Sequence, residues 1–225
     1  EKGRVIISGG SINVSASGGK YDQYYGIYAM KSSTVGMNGG TVKLTGTGDN
    51  VGILIHDSVA TVSNGKIDVA GSAGQGIWAE SATVLMSGGE IEATGSSSST
   101  GIELFKAKLN MAGGSISATG SSESWAIKAQ EKSEIVISDA APQEIRISGG
   151  TSGVTLVDGC LADINISKYV KITGGVHDKY ASMIGKLPEP VSLTAGKTGK
   201  LQLLSVQQQI VFAFPRYKSL TACGG

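Results

Sequence analysis

The chain has 225 residues, with 19 basic and 18 acidic side chains, a net charge of about +1 and only 16% of residues charged. It offers no lysine or arginine stripe to meet phosphates, which argues against a nucleic-acid partner. It also has no apolar run of about 18 residues, which argues against insertion into a membrane as a helix.

The chain begins with alternating apolar residues at Val5, Ile7, Ile12 and Val14, interrupted at Gly9-Gly10 and followed by Gly26-Ile27. Period-two alternation marks strands with one buried side. Between the second and third runs lies Gly18-Gly19-Lys20-Tyr21-Asp22-Gln23-Tyr24-Tyr25. Such a tyrosine-rich insertion is either a binding loop or a cover over exposed strand edges.

Residues 32–131 repeat the pattern most regularly. Glycine pairs or their equivalents return at Gly39-Gly40, Asn64-Gly65, Gly88-Gly89 and Gly113-Gly114. A second landmark returns at Gly52-Ile53, Gly76-Ile77, Gly101-Ile102 and Ala126-Ile127, with a spacing of about 25 residues. Inward positions include Val35, Met37, Val42, Leu44, Ile53 and Ile55, and their equivalents in later copies. Asn38 and Asn64 share nearly the same column, which predicts a structural amide ladder. The Gly95–Thr100 segment reads as uncharged polar surface.

Residues 132–158 form a sixth copy, lengthened by Asp139-Ala140-Ala141-Pro142, with Ile135, Ile137, Ile145, Ile147 and Val154 inward. Ile164, Ile166, Val170 and Ile172 predict a last, irregular copy ending at Gly174-Gly175. Pro188-Glu189-Pro190 marks a boundary, because two prolines remove donors and favour extended backbone. The expected division is therefore a repeat domain over 1–187 and a tail over 188–225. The tail reads as capping strands in preference to the start of a following immunoglobulin-like module.

A copy of about 25 residues is too short for a four-stranded propeller blade. Three strands with glycine corners close instead into one triangular coil, each strand pairing in parallel with its equivalent about 4.8 Å away. About six to seven coils make an all-β solenoid roughly 30 Å long. Its continuous core is one that no single coil could bury. Each buried aliphatic contributes roughly 1.5–3 kcal/mol. The column Gly10, Gly40, Gly65, Gly89, Gly114 is expected at corners of positive φ.

The Gly-Gly-x-Ile and Gly-Ile-x-Ala elements over about residues 4–158 resemble the right-handed parallel β-helix proteins of bacteria, the pectate-lyase-like superfold. The nearest resemblance is to secreted β-helix domains thought to bind polysaccharide. It implies a secreted or cell-surface location, a polysaccharide or host glycan as partner, and a place within a larger surface protein. The initial Glu1 is consistent with an export signal already removed. One fold of this kind also hosts adhesins, inert stalks, lyases and glycosidases, so a structural stalk or adhesin domain and a catalytic lyase or glycosidase are the alternatives.

The resembling lyases hold calcium with clustered aspartates beside a basic residue, and the hydrolases use two or three neighbouring aspartates. Here the aspartates are scattered over different columns, and Arg4, Arg146 and Arg216 stand beside no such cluster. No catalytic residue and no cofactor is expected. Calcium is possible in principle, but the turns lack the paired aspartates that would hold it. His56-Asp57 and His177-Asp178 read as turn or surface pairs, and Cys160, far from Cys223, as a buried thiol in preference to a disulfide.

The candidate ligand site is the outward side of the Gly-Ile strand. Tyr28, Leu54, Trp78, Glu103 and Lys128 fall in one column there, with Met30, His56, Glu80, Phe105 and Gln130 in another. In the sixth copy Thr155 and Val157 continue them. Large apolar side chains gathered on one external face point to a contact. Rings flanked by carboxylates suit a sugar, whose C–H faces stack while its hydroxyls hydrogen-bond. Tyr21, Tyr24 and Tyr25 of the first loop are included. Cover by the tail, or a face with no partner, is the alternative.

Overall fold

In the computed structural model, residues 2–19, 22–138, 143–157, 159–166, 169–178, 199–205 and 210–213 are described, and they form strands and turns without a helix. The first coil is β1 (Arg4–Ile7), β2 (Ser11–Ala16) and β3 (Gln23–Met30). In the second coil the first two runs bend through the glycine corner as β4 (Thr34–Gly46), followed by β5 (Asp49–His56). The third and fourth coils are each a single bent strand, β6 (Val59–Glu80) and β7 (Thr83–Phe105). The fifth is β8 (Lys108–Gly120) with β9 (Glu123–Gln130). The sixth is β10 (Glu134–Ile137), β11 (Ile145–Gly149) and β12 (Ser152–Leu156).

A seventh turn follows as β13 (Leu161–Ile166), β14 (Val170–Thr173) and β15 (Val176–Asp178). It continues beyond the expected stop at Gly174-Gly175. The two glycines, at φ 86° and 73°, make a corner that delivers β15 onto β12.

Every coil pairs in parallel with the next, and three vertical files of aliphatics result. Val5, Val35, Ala60, Val84, Leu109, Ile135 and Ala162 are successive partners on the first side. Ile12, Val42, Ile67, Ile91, Ile116, Ile147 and Ile172 are partners on the second. Ile27, Ile53, Ile77, Ile102, Ile127, Val154 and Val176 are partners on the third. The molecule is thus a parallel β-solenoid of about six turns with a repeat of about 25 residues. From the second coil upward, stacking removes these side chains from water on all sides, which is where a repeat array gets its stability.

The first coil departs from the expectation that Val5 is buried. Val5 belongs to the inward file, yet it is 43% exposed, beside Ile6 at 46%, because no coil lies beneath it among the described residues. Ile12, Val14 and Tyr24 are only partly buried against the same end of the core.

At the other end β16 (Gly199–Ser205) adds antiparallel to β13, and β17 (Ile210–Ala213) adds antiparallel to β16. The segments Asp139–Pro142 and Pro188–Pro190 lie outside the described residues, as does Cys223. Cys160 is buried, its thiol donating to the Val157 carbonyl at 2.7 Å.

Two kinds of corner alternate up the solenoid. Gly10, Gly40, Gly65, Gly89 and Gly114 all have positive φ, between 74° and 97°. At the return to each new coil the left-handed residues are Lys31, Ser32, Asp57, Ser81, Lys106, Glu131 and Lys132. Here the ladder runs on through the bend: the N–H groups of Ser32, Asp57, Ser81 and Lys106 donate to the carbonyls of Asp57, Glu80, Phe105 and Gln130 in the following coil. Hydroxyls reinforce the middle corner. Thr47 donates to the Gly18 carbonyl, Ser72 to Thr47, Ser97 to Ser72 and Ser122 to Ser97. The serine-rich turns are therefore internal struts as well as polar surface.

Candidate functional site

The third side of the solenoid is built by β3, β5, the last run of β6, the last run of β7, β9 and β12. Register on this side is fixed by the Ile27 file. Outward side chains therefore stack as expected: Tyr28 on Leu54, Leu54 on Trp78, Trp78 on Glu103 and Glu103 on Lys128. Beside them Met30, His56, Glu80, Phe105 and Gln130 form the second column.

A third outward column accompanies them: Tyr25, Val51, Gln75, Thr100 and Trp125. Strict alternation would turn Tyr25 inward, since it is three residues before Tyr28. The strand breaks parity at the glycine. A Cβ on Gly26 would lie 2.7 Å from Val42 Cγ1, so this position faces the core together with its neighbour Ile27. Gly52, Gly76 and Gly101 are pressed in the same way on Ile67, Ile91 and Ile116. Two successive inward positions carry the residue before the glycine to the outer face. The same offset before Ala126 would have revealed Trp125.

At the first coil Tyr25 and Tyr28 stack with ring centres 5.5 Å apart and an interplanar angle of 22°, and Tyr28 is 55% exposed. The Tyr25 hydroxyl donates to Gln23 Oε1 at 2.6 Å. Tyr24 goes the other way. It is in register with the fully buried Asn50 and packs on the core end, so the structure separates it from this face. Tyr21 lies outside the described residues.

Higher up, Glu103 is the centre of a fixed polar cluster. Its Oε2 accepts from Gln75 Nε2 at 2.7 Å, and its Oε1 accepts from Lys128 Nζ at 3.0 Å and from Gln130 Nε2 at 2.6 Å. The side chains of Glu103 and Lys128 are only 12% and 18% exposed. The Lys128 ammonium also lies 4.8 Å from the centre of the Trp125 ring, a cation–π contact that holds both groups. Charge-assisted bonds of this kind order the side chains before any ligand arrives. Sequence reasoning placed Glu103, Lys128 and Gln130 on this face but missed Gln75 and Trp125 and the joining of all five, because that association depends on side-chain reach between coils.

The remaining predicted residues lie at the margins. His56 Nδ1 is 3.2 Å from Asp57 Oδ2, and its Nε2 is 3.9 Å from Glu80 Oε1. Phe105 sits beneath the Lys106 ammonium, 5.4 Å from its ring centre. Glu80 is in register with Phe105 and Glu103 with Trp78, so the two carboxylates are offset along the strands as well as one coil apart. The face ends at the sixth coil. Thr155 and Val157 were expected to point outward, but they are buried, at 4% and 7% exposure.

The opposite kind of concavity lies on the first side, a groove of about 380 Å³ with Asn38, Thr61, Leu85 and Asn110 in its lining. Asn38 and Asn64 are in register there as expected. Their oxygens, however, accept from the Ser63 hydroxyl at 3.1 Å and from the Gly65 N–H at 2.8 Å, so amide-to-amide bonding is not what joins them. Among the described residues no group of three histidine, cysteine, aspartate or glutamate side chains is placed to hold a metal ion.

Comparison of the chain with protein-family models, with curated proteins and with solved structures finds no match.

Proposed function

We propose that this solenoid is a non-catalytic, secreted or cell-surface module of a larger protein that binds a polysaccharide or host glycan on its third side. The single observation that carries the reading is the company Trp78 and Trp125 keep. Both rings stand on one external sheet, with the Gln75, Glu103, Lys128 and Gln130 cluster between and beside them. Half-exposed rings stack on sugar C–H faces, and a prearranged set of donors and acceptors meets hydroxyls without a further ordering cost. The resemblance to exported bacterial β-helix domains supports the same class of ligand.

A lyase or glycosidase needs a mobile proton or a free nucleophile. Both oxygens of Glu103 are already engaged by three donors, which suits an anchor. A plain stalk needs neither the rings nor the cluster.

The test is retention on immobilised and insoluble polysaccharides. The wild type should be retained, and Trp78→Ala should weaken retention about fivefold to tenfold, the contribution of one stacked ring, with an unchanged thermal midpoint. Failure of the wild type to bind any glycan leaves the stalk. Release of reducing ends that disappears in Glu80→Gln would establish an enzyme instead.

A further inference from the structure

We infer that Asn64 is a site of self-modification, at which the following backbone nitrogen expels the side-chain amide as ammonia and water leaves aspartyl and isoaspartyl residues in its place. The reaction stands apart from glycan binding and needs no partner but water.

The chain holds two Asn-Gly pairs, Asn38-Gly39 and Asn64-Gly65, and both asparagines are exposed. Glycine on the carboxyl side has no Cβ to shield its nitrogen from the asparagine carboxamide. In sequence the two pairs are equivalent. In the folded chain they are not.

Across the first five coils Asn64 shares its corner column with Gly9, Gly39, Gly88 and Gly113, and it alone carries a side chain there. A Cβ on Gly39, Gly88 or Gly113 would lie 2.6, 2.3 or 2.4 Å from the carbonyl oxygen of Ser8, Ser63 or Ser87 in the coil before. In so crowded a column the Asn64 side chain folds back on its own main chain, and its Oδ1 accepts from the Gly65 N–H at 2.8 Å. That bond holds the nitrogen beside the carboxamide carbon, which is what a near-attack geometry requires. Asn38 is held differently. Its Oδ1 accepts from the Ser63 hydroxyl at 3.1 Å, which ties the carboxamide to the next coil.

The chemistry closes without an oxidant or reductant. The Gly65 nitrogen gives its proton to solvent and bonds to Asn64 Cγ; the Cγ–Nδ2 bond breaks, and Nδ2 leaves as ammonia with a proton returned by water. Water then opens the resulting succinimide at one carbonyl to give aspartate, or at the other to give isoaspartate, whose main chain runs one atom longer through Cβ and Cγ. Either product sets a carboxylate beside Asn38 and Ser63, at the edge of the groove whose described lining carries no charge. The longer backbone has no slack to enter. A Cβ on Gly65 would lie 2.7 Å from the Gly40 carbonyl oxygen on one side, and one on Gly89 would lie 3.1 Å from the Gly65 carbonyl oxygen on the other. The reaction therefore marks aged molecules and loosens this corner.

Timed incubation of the folded protein, read by tryptic mass spectrometry and isoaspartyl methyltransferase labelling, tests this directly. The two pairs fall in different tryptic peptides. Conversion at residue 64 should run at least about tenfold faster than at residue 38. In denaturant, where the coils no longer hold either side chain, the two rates should converge. Ser63→Ala removes the hydroxyl that ties Asn38 and should raise the rate at residue 38, with the thermal midpoint reporting on folding separately. Asn64→Gln should abolish the signal at residue 64. Equal rates in the folded protein, faster conversion at residue 38, or no conversion at residue 64 while the denatured chain converts would each overturn the assignment.

Discussion

Gly89 and Ser81 both adopt left-handed backbone, at φ 80° and 49°, yet they do so for different reasons. A Cβ on Gly89 would fall 2.9 Å from Val62 Cγ1, inside the packed interior, so steric crowding adds to the strain any L-residue carries in that region. Ser81 turns outward, and its N–H donates to the Phe105 carbonyl at 2.9 Å. Gly89→Ala should therefore lower unfolding stability by about 1–3 kcal/mol. Ser81→Gly should stay within about 1 kcal/mol of the wild type, since relief of strain and loss of chain stiffness oppose each other. Denaturant titration of the two variants checks the pair. Only the first corner is legible in the chain, because it repeats glycine. The second uses Ser32, Asp57, Ser81 and Lys106, which repeat no single residue type and are united by their backbone bonds to the next coil.

Between elements, the most sharply defined clasp joins β6 to β7. Lys66 Nζ lies 2.6 Å from Glu92 Oε2 and 3.6 Å from Glu90 Oε1. Its pKa is raised above the ordinary 10.5, chiefly by the hydrogen bond its ammonium donates to Glu92, against the opposing effect of partial burial, and further by the charges of Glu90, Glu92 and Asp68. Folding thus favours the protonated amine. The stabilisation is fully present below the unfolded pKa of 10.5 and is lost as pH rises through the higher folded value. Thermal midpoints of the wild type should fall more steeply than those of Lys66→Met between pH about 9 and about 12. Parallel slopes would contradict the clasp.

The same scale explains what the alternation of residues concealed. Period two places Tyr28, Leu54 and Trp78 on the outer face correctly, since register follows from the isoleucine file. It misplaces Tyr25 and Trp125, because the core-facing glycine or alanine inserts a second inward position and changes parity. The hydroxyl column of Thr47, Ser72, Ser97 and Ser122 is likewise hidden, as serine in a turn reads as solvated until the next coil supplies a carbonyl.

For the whole molecule, one period repeated along the chain was enough to give the architecture. Three aliphatic files, one per side, follow from copies of about 25 residues, and the structure stacks them in register from the first coil to the seventh turn. The chain holds only two tryptophans, Trp78 and Trp125, and both lie on the face proposed to bind glycan. The most direct measurement is therefore the amide spectrum of the labelled protein, in which the two indole N–H resonances stand apart and are assigned by Trp78→Phe and Trp125→Phe. Titration with an oligosaccharide fragment of the polysaccharide that retains the protein should move both resonances together, saturably and with one dissociation constant. If the protein retains that sugar while neither resonance moves, the ligand lies elsewhere and the account of this face is wrong.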